Sequence, residues 1–409
     1  MFRPPFFRSL SVEYPDVSGH VDRSRRASLS AEQRRKLSML RTSSIPSPLT
    51  PVSHIYHLVP CPRQCCRQKY VVSTDRSGDI HVHVQVRGDL SQQDKRCVFL
   101  TVHDLGTNHT SLVDFVNCPA MSEIKERSCF IHVDVPGHEE NSPDLPDSYQ
   151  FPSLQTLGED LITVLDFLHV RYAVGLGEGA GANVLARCGL AHPRRLLGLI
   201  LVNCTASTSS VSDAFRSRFS RWKGTDISQS EEDFLIYHKF GHVKTEQRFQ
   251  SIQISFSSES CEVAERERML AEYRSRLRGN LNTHNIKQYV RAFINRKDLV
   301  LRGCQPDILL ITGMLSPYAS VVEKMYKELD KDKVTILKID KVGDVLAEAP
   351  AKVFQSALLF CQGQGLLTSL PPPGVERRMS RAMSMEEYDK PNIRRLSLTP
   401  AADSSPRKL

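Results

Sequence analysis

The segment Tyr172-Ala173-Val174-Gly175-Leu176-Gly177-Glu178-Gly179-Ala180-Gly181 constrains this chain more than any other. A short apolar run gives way to glycine at every second position, and a helical pattern follows over Asn183–Ala191. A strand that passes into a helix through so few side chains turns sharply and brings the two backbones close together. A dinucleotide fingerprint is one use of such a turn. It needs Gly-x-Gly-x-x-Gly after the first strand and an acidic ribose ligand further on. Here Gly175–Gly179 and Gly177–Gly181 miss that spacing, and the strand is about the fifth rather than the first. A nucleophile elbow, Gly-x-Ser-x-Gly, is another use. Gly177-Glu178-Gly179-Ala180-Gly181 fits that frame with glycine at the nucleophile position. The plainest reading is a tight strand-to-helix turn with no chemistry of its own.

The flanking sequence supplies the sheet that an elbow requires. Tyr70–Ser73 and Ile80–Arg87 flank the turn sequence Arg76-Ser77-Gly78-Asp79 and read as an antiparallel hairpin. Cys97–His103, Cys129–Val135, Tyr172–Gly175, Leu196–Asn203, Asp307–Gly313 and Val334–Ile339 are nearly continuous apolar runs, which suit strands buried on both faces of a parallel sheet. Helical patterns fall between them at Leu157–Leu168, Asn183–Ala191 and Val321–Leu329, and Lys352–Cys361 closes the series. Strand and helix alternating in this way predict an α/β fold with a mostly parallel sheet flanked by helices. Residues 205–298 lack strand rhythm and contain charged helical stretches such as Cys261–Arg278, so they are read as an inserted helical cap. The folded domain is placed at 51–370.

An α/β-hydrolase also needs an acid and a histidine, and the same frame locates both. The acid follows the strand entering the final third; Met314 stands after Gly313, where an aspartate would be. The histidine precedes an acidic-x-Pro segment that opens the last helix; Gly343 holds that place before Glu348-Ala349-Pro350. No histidine occurs after His284. Nucleophile, acid and base act as a unit. With Gly179, Met314 and Gly343 at their positions, the expectation is a pseudo-hydrolase with no catalytic residue. Two rival readings stay open: a hydrolase with an unrecognised active site, for which Glu178 is the nearest candidate, and a lipid- or small-ligand-binding protein that keeps the old pocket. The residues expected at that vestigial pocket are His103, Asp104, Glu178 and Ala180.

Charge separates the ends from the middle. The chain of 409 residues has a formal net charge of +8. Residues 1–50 carry net +5 and residues 371–409 net +3, while 51–370 is balanced. A neutral core argues against a nucleic-acid groove. Both ends are rich in Ser, Pro and Arg and are expected to be disordered, with a short amphipathic helix at Ala31–Leu40 as an alternative. Arg25-Arg26-Ala27-Ser28, Arg377-Arg378-Met379-Ser380 and Arg394-Arg395-Leu396-Ser397 place guanidinium groups where a basophilic kinase reads them. Ser38 and Ser384 lie in weaker versions. Protein partners and acidic membrane lipids are the expected contacts of such tails.

Eleven cysteines in apolar surroundings read as buried free thiols. Met1-Phe2-Arg3-Pro4-Pro5-Phe6-Phe7-Arg8 has charges and prolines where a signal peptide has its apolar stretch, so a cytoplasmic location is expected, with peripheral membrane contact through the tails. No cofactor or metal is expected. Cys61-Pro62-Arg63-Gln64-Cys65-Cys66 lacks a second pair at zinc-like spacing and reads as a structural loop. His81 and His83 alternate on one strand face and read as a solvated face, with metal ligation as the alternative. Trp222, Phe215 and Phe219 share helical spacing and read as cap packing.

The sequence resembles the N-myc downstream-regulated (NDRG) family. The stretches that carry the resemblance are Val102-His103-Asp104-Leu105-Gly106-Thr107-Asn108, His132–Glu140, Tyr149–Leu154, Gly175–Asn183 and Leu199–Asn203, with a weaker match at Asn295–Leu299. The similarity spans roughly residues 55–365. It implies an α/β-hydrolase fold without hydrolase activity, a helical cap, a kinase-modified Ser/Thr-rich C-terminal tail, and a cytoplasmic role in stress response, differentiation and signalling. This chain departs from the family at Met314, where members often keep an aspartate, in its basic N-terminal extension, and in the lack of a tandem repeat in its C-terminal tail.

Overall fold

The computed structural model describes residues 66–86, 96–207, 227–241 and 257–371. The expectations for both tails, for Ala31–Leu40, for Ser28, Ser38, Ser380, Ser384 and Ser397, for Cys61 and Cys65, and for Trp222 with Phe215 and Phe219 fall outside these residues.

Eight strands form one sheet in the order β1-β2-β4-β3-β5-β6-β7-β8. The hairpin β1 (Cys66–Thr74) and β2 (Gly78–Val86) is antiparallel, and β2 lies antiparallel to β4 (Ser128–Asp134). All other neighbours are parallel: β3 (Cys97–Val102), β5 (Ala173–Glu178), β6 (Leu196–Val202), β7 (Asp307–Gly313) and β8 (Val334–Ile339). The apolar runs become strands because both faces of the sheet are covered. Along β3, Val98, Leu100 and Val102 enter one core while Cys97 and Phe99 enter the other. The first core also holds Leu157, Leu161 and Val164 of helix α3 (Leu154–Phe167) and Val184 and Leu185 of α4 (Gly179–Ala191). On the opposite face stand Leu112, Phe115 and Val116 of α1 (His109–Asn117), the short α2 (Ser122–Glu126), and Val353 and Leu358 of α10 (Pro350–Gly363).

β5 continues through Glu178, three residues beyond the apolar run that marks it in the sequence. Its glycines are a condition of that continuation. A β-carbon on Gly177 would meet the backbone nitrogen of Ala182 at 2.8 Å, so only glycine lets α4 fold back onto the strand that feeds it. Helix α1 has no obvious periodic signal, and its start is set by Asn108, whose side chain accepts from the Thr110 N–H at 3.1 Å.

Among the described residues, three helices lie between β6 and β7: α5 (Gln229–Phe240), α6 (Ser257–Gly279) and α7 (Thr283–Ile294). They occupy the insertion expected at 205–298. After β7 come α8 (Ala319–Glu328), then β8, the single turn α9 (Val345–Glu348) and α10. Cys97, Cys118, Cys129, Cys188, Cys204, Cys304 and Cys361 are free thiols, buried except for the half-buried Cys118. Among the described residues no helix is long and apolar enough to cross a membrane.

Candidate functional site

The strand-to-helix turn is built as an elbow. Gly179 has a φ of +51°, a left-handed conformation that costs a side-chain-bearing residue about 1–2 kcal/mol. A β-carbon on Gly181 would overlap the carbonyls of Val102 and His103, so α4 starts hard against the end of β3. The next residue of that segment, Asp104, turns its carboxylate over Gly179. A β-carbon at Gly179 would overlap this carboxylate, and the Ala180 N–H donates to Asp104 Oδ1 at 2.8 Å. In a hydrolase, the amide after the nucleophile is aimed at the developing oxyanion. Here it is held by a permanent anion.

The cap completes this arrangement from above. His238, near the end of α5, places Nε2 at 2.9 and 3.0 Å from the two oxygens of Asp104. Its Nδ1 meets the Tyr318 hydroxyl. With the ring proton on Nε2, His238 donates to Asp104 and Tyr318 donates to His238, so no polar atom of the chain Tyr318–His238–Asp104 lacks a partner. Burial alone pushes the Asp104 carboxyl up, but His238, Lys239 and the Ala180 amide hold it below the ordinary carboxylate value. All three side chains are buried.

Beside this chain, Lys239 Nζ lies 2.9 and 2.8 Å from the oxygens of Glu178 and 3.0 Å from Asp344 Oδ2. Burial opposes the ammonium charge, but Asp344, Glu178 and Asp104 hold its pKa above the ordinary lysine value. Glu178 is pushed up to about 8 by burial, with Lys239 opposing and the charges of Asp344 and Asp104 adding. The ammonium is thus held between two buried carboxyl groups, of which Glu178 gives up its proton less readily than an ordinary glutamate. Asp344 also caps α9, accepting from the N–H groups of Leu346 and Ala347.

The other two vestigial triad positions are filled or turned away. A β-carbon on Gly343 would overlap the carbonyl of Phe240, the last residue of α5. Gly241, with φ of +76°, packs so closely that a β-carbon there would overlap the Leu315 carbonyl. Met314 itself is 42% exposed and does not enter the site. A cavity of about 590 Å³ lies alongside, bounded by Glu178, Lys239 and Asp344 together with Phe115, Met269 and Tyr273. Of the four residues expected at the vestigial pocket, Glu178 lines this cavity. His103, Asp104 and Ala180 are buried and are not part of its wall. His103 shapes the loop: its Nδ1 bonds the Asp104 carbonyl at 2.8 Å, and its Nε2 accepts from the Val135 N–H at 3.2 Å.

His238 and Lys239 are the residues that sequence reasoning missed, because it sought a histidine only after the last strand. The available signal was two polar residues placed between Phe234-Leu235-Ile236 and Phe240, inside the apolar stretch of a short cap helix. His83 requires a correction. Its side chain is 12% exposed and does not lie on a solvated face, because α1 covers that part of the sheet and sets His109 against it. Among the described residues, His83, His109 and Asp134 are the one group of three ligating side chains close enough to hold a metal.

The sequence model of the Ndr family matches residues 71–368. An uncharacterised protein of Caenorhabditis elegans is 37% identical over 338 residues, spanning 81% of this chain and 95% of that protein. Protein NDRG3 of Xenopus tropicalis is 29% identical over 299 residues, 70% of this chain and 71% of the relative. Among solved structures, a thermophilic esterase from Thermogutta terrifontis superposes with a TM-score of 0.54 at 16% identity, over 73% of this chain and 99% of the esterase. A hydrolase from Pseudomonas aeruginosa gives 0.51 at 17% identity, over 71% and 97%. At such identities the likeness establishes the α/β-hydrolase fold and nothing about activity.

Proposed function

The chain belongs to the Ndr family, and from that premise we propose that it is a non-catalytic α/β-hydrolase-fold protein acting through partners rather than turnover. The observation that carries this reading is the Asp104 carboxylate, which occupies both the space of the absent nucleophile side chain and the amide of Ala180. With the carboxylate in that position, the Ala180 amide is not free to bind the oxyanion of a tetrahedral intermediate. Glu178 does not replace the nucleophile, since both of its carboxyl oxygens are engaged by the buried Lys239 ammonium. Incubation of the purified full chain with a serine-directed fluorophosphonate tests the reading. No labelling and no ester turnover above background are expected; labelling of a core serine overturns it.

Regulation is assigned to the tails. Ser28, Ser380 and Ser397, with Ser38 and Ser384 as weaker sites, sit in basic contexts on segments of net +5 and +3. Each phosphate adds about −1.5 to −2 charges, enough to weaken attachment to acidic lipids or partners. The role is cytoplasmic signalling in stress or differentiation. Mass spectrometry after kinase activation, with vesicle binding measured before and after, checks both halves. Unmodified tail serines would sink the kinase assignment, and unchanged binding would sink the electrostatic one.

One observation favours a second reading. The 590 Å³ cavity has the size of a small-molecule site. Leaving Glu178 aside, its wall carries Asp114, Glu140, Glu272 and Asp344 against Lys239 and Arg276, so a retained ligand would be cationic.

A further inference from the structure

Asp134, the last residue of β4, is fully buried. Its Oδ1 accepts from the backbone N–H of His109 at 2.6 Å. Its Oδ2 lies 2.7 Å from His109 Nδ1 and 3.1 Å from His83 Nε2. The two imidazoles come from different elements, β2 and the first turn of α1. They stack with centroids 3.5 Å apart and planes 9° apart. One ligating atom from each of the three residues falls within 4.8 Å of the other two.

We propose that His83, His109 and Asp134 bind one divalent transition-metal ion of the zinc type, joining α1 to the β2–β4 part of the sheet.

The donor chemistry selects the ion. Two imidazole nitrogens and one carboxylate oxygen suit zinc and its first-row neighbours, whereas calcium and magnesium take oxygen ligands. The support around the ligands is also in place. The His109 N–H fixes Oδ1 and leaves Oδ2 turned toward both rings, as outer hydrogen bonds orient carboxylate ligands in metal sites. The distances require little movement. Donors about 2.0–2.2 Å from a tetrahedral ion stand roughly 3.2–3.5 Å apart, so the 2.7 and 3.1 Å contacts need to open by about half an ångström as the rings splay from parallel.

The rings are suited to the exchange. Two imidazoles stacked face to face repel if both are charged, so at least one is neutral. Without metal, the protons on His83 Nε2 and His109 Nδ1 bridge to Asp134. On binding, a neutral ring keeps its proton by moving it to the opposite nitrogen through solvent, an imidazolium releases one of its two protons to solvent, and the ion takes the vacated lone pairs. The side chains of His83 and His109 are 12% and 11% exposed, which leaves water a route to the remaining coordination position. His103 is no fourth ligand. It lies 4.0 Å from Asp134, and both of its nitrogens bond backbone groups.

Titration of the full chain with Co²⁺ as probe tests the proposal. One equivalent is expected, with the visible bands of a tetrahedral N/O site, no thiolate charge-transfer band, and displacement by Zn²⁺. His83→Gln and His109→Gln should each weaken binding by at least ~10-fold, the smallest loss expected on removing a ligand or its support. His81→Gln, two residues along β2 and beside Glu139, should leave it unchanged. Should either glutamine variant fail to fold, X-ray absorption of the zinc-loaded wild-type chain decides. Imidazole and oxygen in the shell support the site. Sulfur in the shell, unchanged affinity in both variants, or no saturable binding at millimolar Co²⁺ overturns it.

Discussion

Asp104 and Asp134 stand at the ends of the neighbouring strands β3 and β4, and each is met by histidine, yet their surroundings are opposite. Asp104 is covered by α5, whose consecutive residues His238, Lys239, Phe240 and Gly241 reach Asp104, Glu178, the space at Gly343 and the loop after β7. Asp134 is equally buried, but its histidines reach solvent at their edges. At Asp104 the space above the elbow is filled by a carboxylate, an ion pair and cap backbone. The comparison separates a polar centre sealed into the core from a polar cluster that can still exchange with solvent.

The largest expected effect comes from breaking the closed centre. Asp104→Ala leaves His238 Nε2 and the Ala180 amide buried without their acceptor, and removing one partner of a buried pair costs about 3–5 kcal/mol. Urea unfolding measures it; a loss below about 1 kcal/mol would mean that the cap is not held here. Gly179→Ser comes next. A residue with a side chain at a left-handed φ costs about 1–2 kcal/mol, and the overlap with Asp104 adds strain of about 1–3 kcal/mol. No turnover should appear, because the group beside the new hydroxyl is the Asp104 carboxylate, which despite burial is held by His238, Lys239 and the Ala180 amide below the ordinary carboxylate value and so is a weak base. The double variant Asp104→Ala/Gly179→Ser should lose less than the two singles together, since removing the carboxylate removes the overlap. Strict additivity would refute the claim that the two share one space.

The contrast between the two centres also marks what the sequence could disclose. The strands were legible because burial on both faces of a parallel sheet leaves apolar runs such as Leu196–Val202, which need no partner to be recognised. The elbow was legible because only glycine fits at Gly177 and Gly181, where backbone meets backbone. Gly179 was legible as a residue without a side chain at the elbow position. What fills the space above it was not. Asp104 and His238 are 134 residues apart, and Lys239 and Glu178 are 61 apart. Pairings of that kind are set by how the cap docks and leave no spacing rule in the chain. His83 and His109 were hidden by their placement on different elements: one lies on a strand and the other on a helix whose start depends on a single asparagine cap. Met314 shows the limit of frame-matching, since its place after Gly313 is right for an acid while its side chain points to solvent.

pH gives a sharper, intermediate test. Glu178 keeps its proton in the fold up to about 8, against an ordinary value of 4.5, so between these values the folded state binds more protons than the unfolded chain. Its contribution is fully present at the acidic end of that window and falls as pH rises, by up to about 1.4 kcal/mol per pH unit. Glu178→Gln should flatten the decline in urea-derived stability between roughly pH 5 and 8. An unchanged slope would place the proton elsewhere in the cluster. Asp134 acts in the opposite direction. Burial alone would raise its pKa, but His109 and His83 hold it far below the ordinary carboxylate range, so its contribution is present above about pH 4 and is lost on acidification.

The smallest effect is expected at the open centre, and its smallness is informative. His83→Gln without metal removes one ring from Asp134 but leaves the His109 N–H and Nδ1 in place, so the carboxylate keeps two donors. Loss of one hydrogen bond to a charged group costs about 1.5–3 kcal/mol when buried. With water able to take the place of a partly exposed ring, the loss should fall to about 1 kcal/mol, well below that for Asp104→Ala. Urea unfolding in chelator and again in excess Zn²⁺ separates structure from ligation. In chelator the variant should trail the wild type by that small amount. In Zn²⁺ the wild-type midpoint should rise while that of the variant stays, because an ion that binds the folded chain stabilises it in proportion to the logarithm of its concentration over its dissociation constant. A gap as large in chelator as in Zn²⁺ would make His83 a packing residue and erase the difference between the two centres.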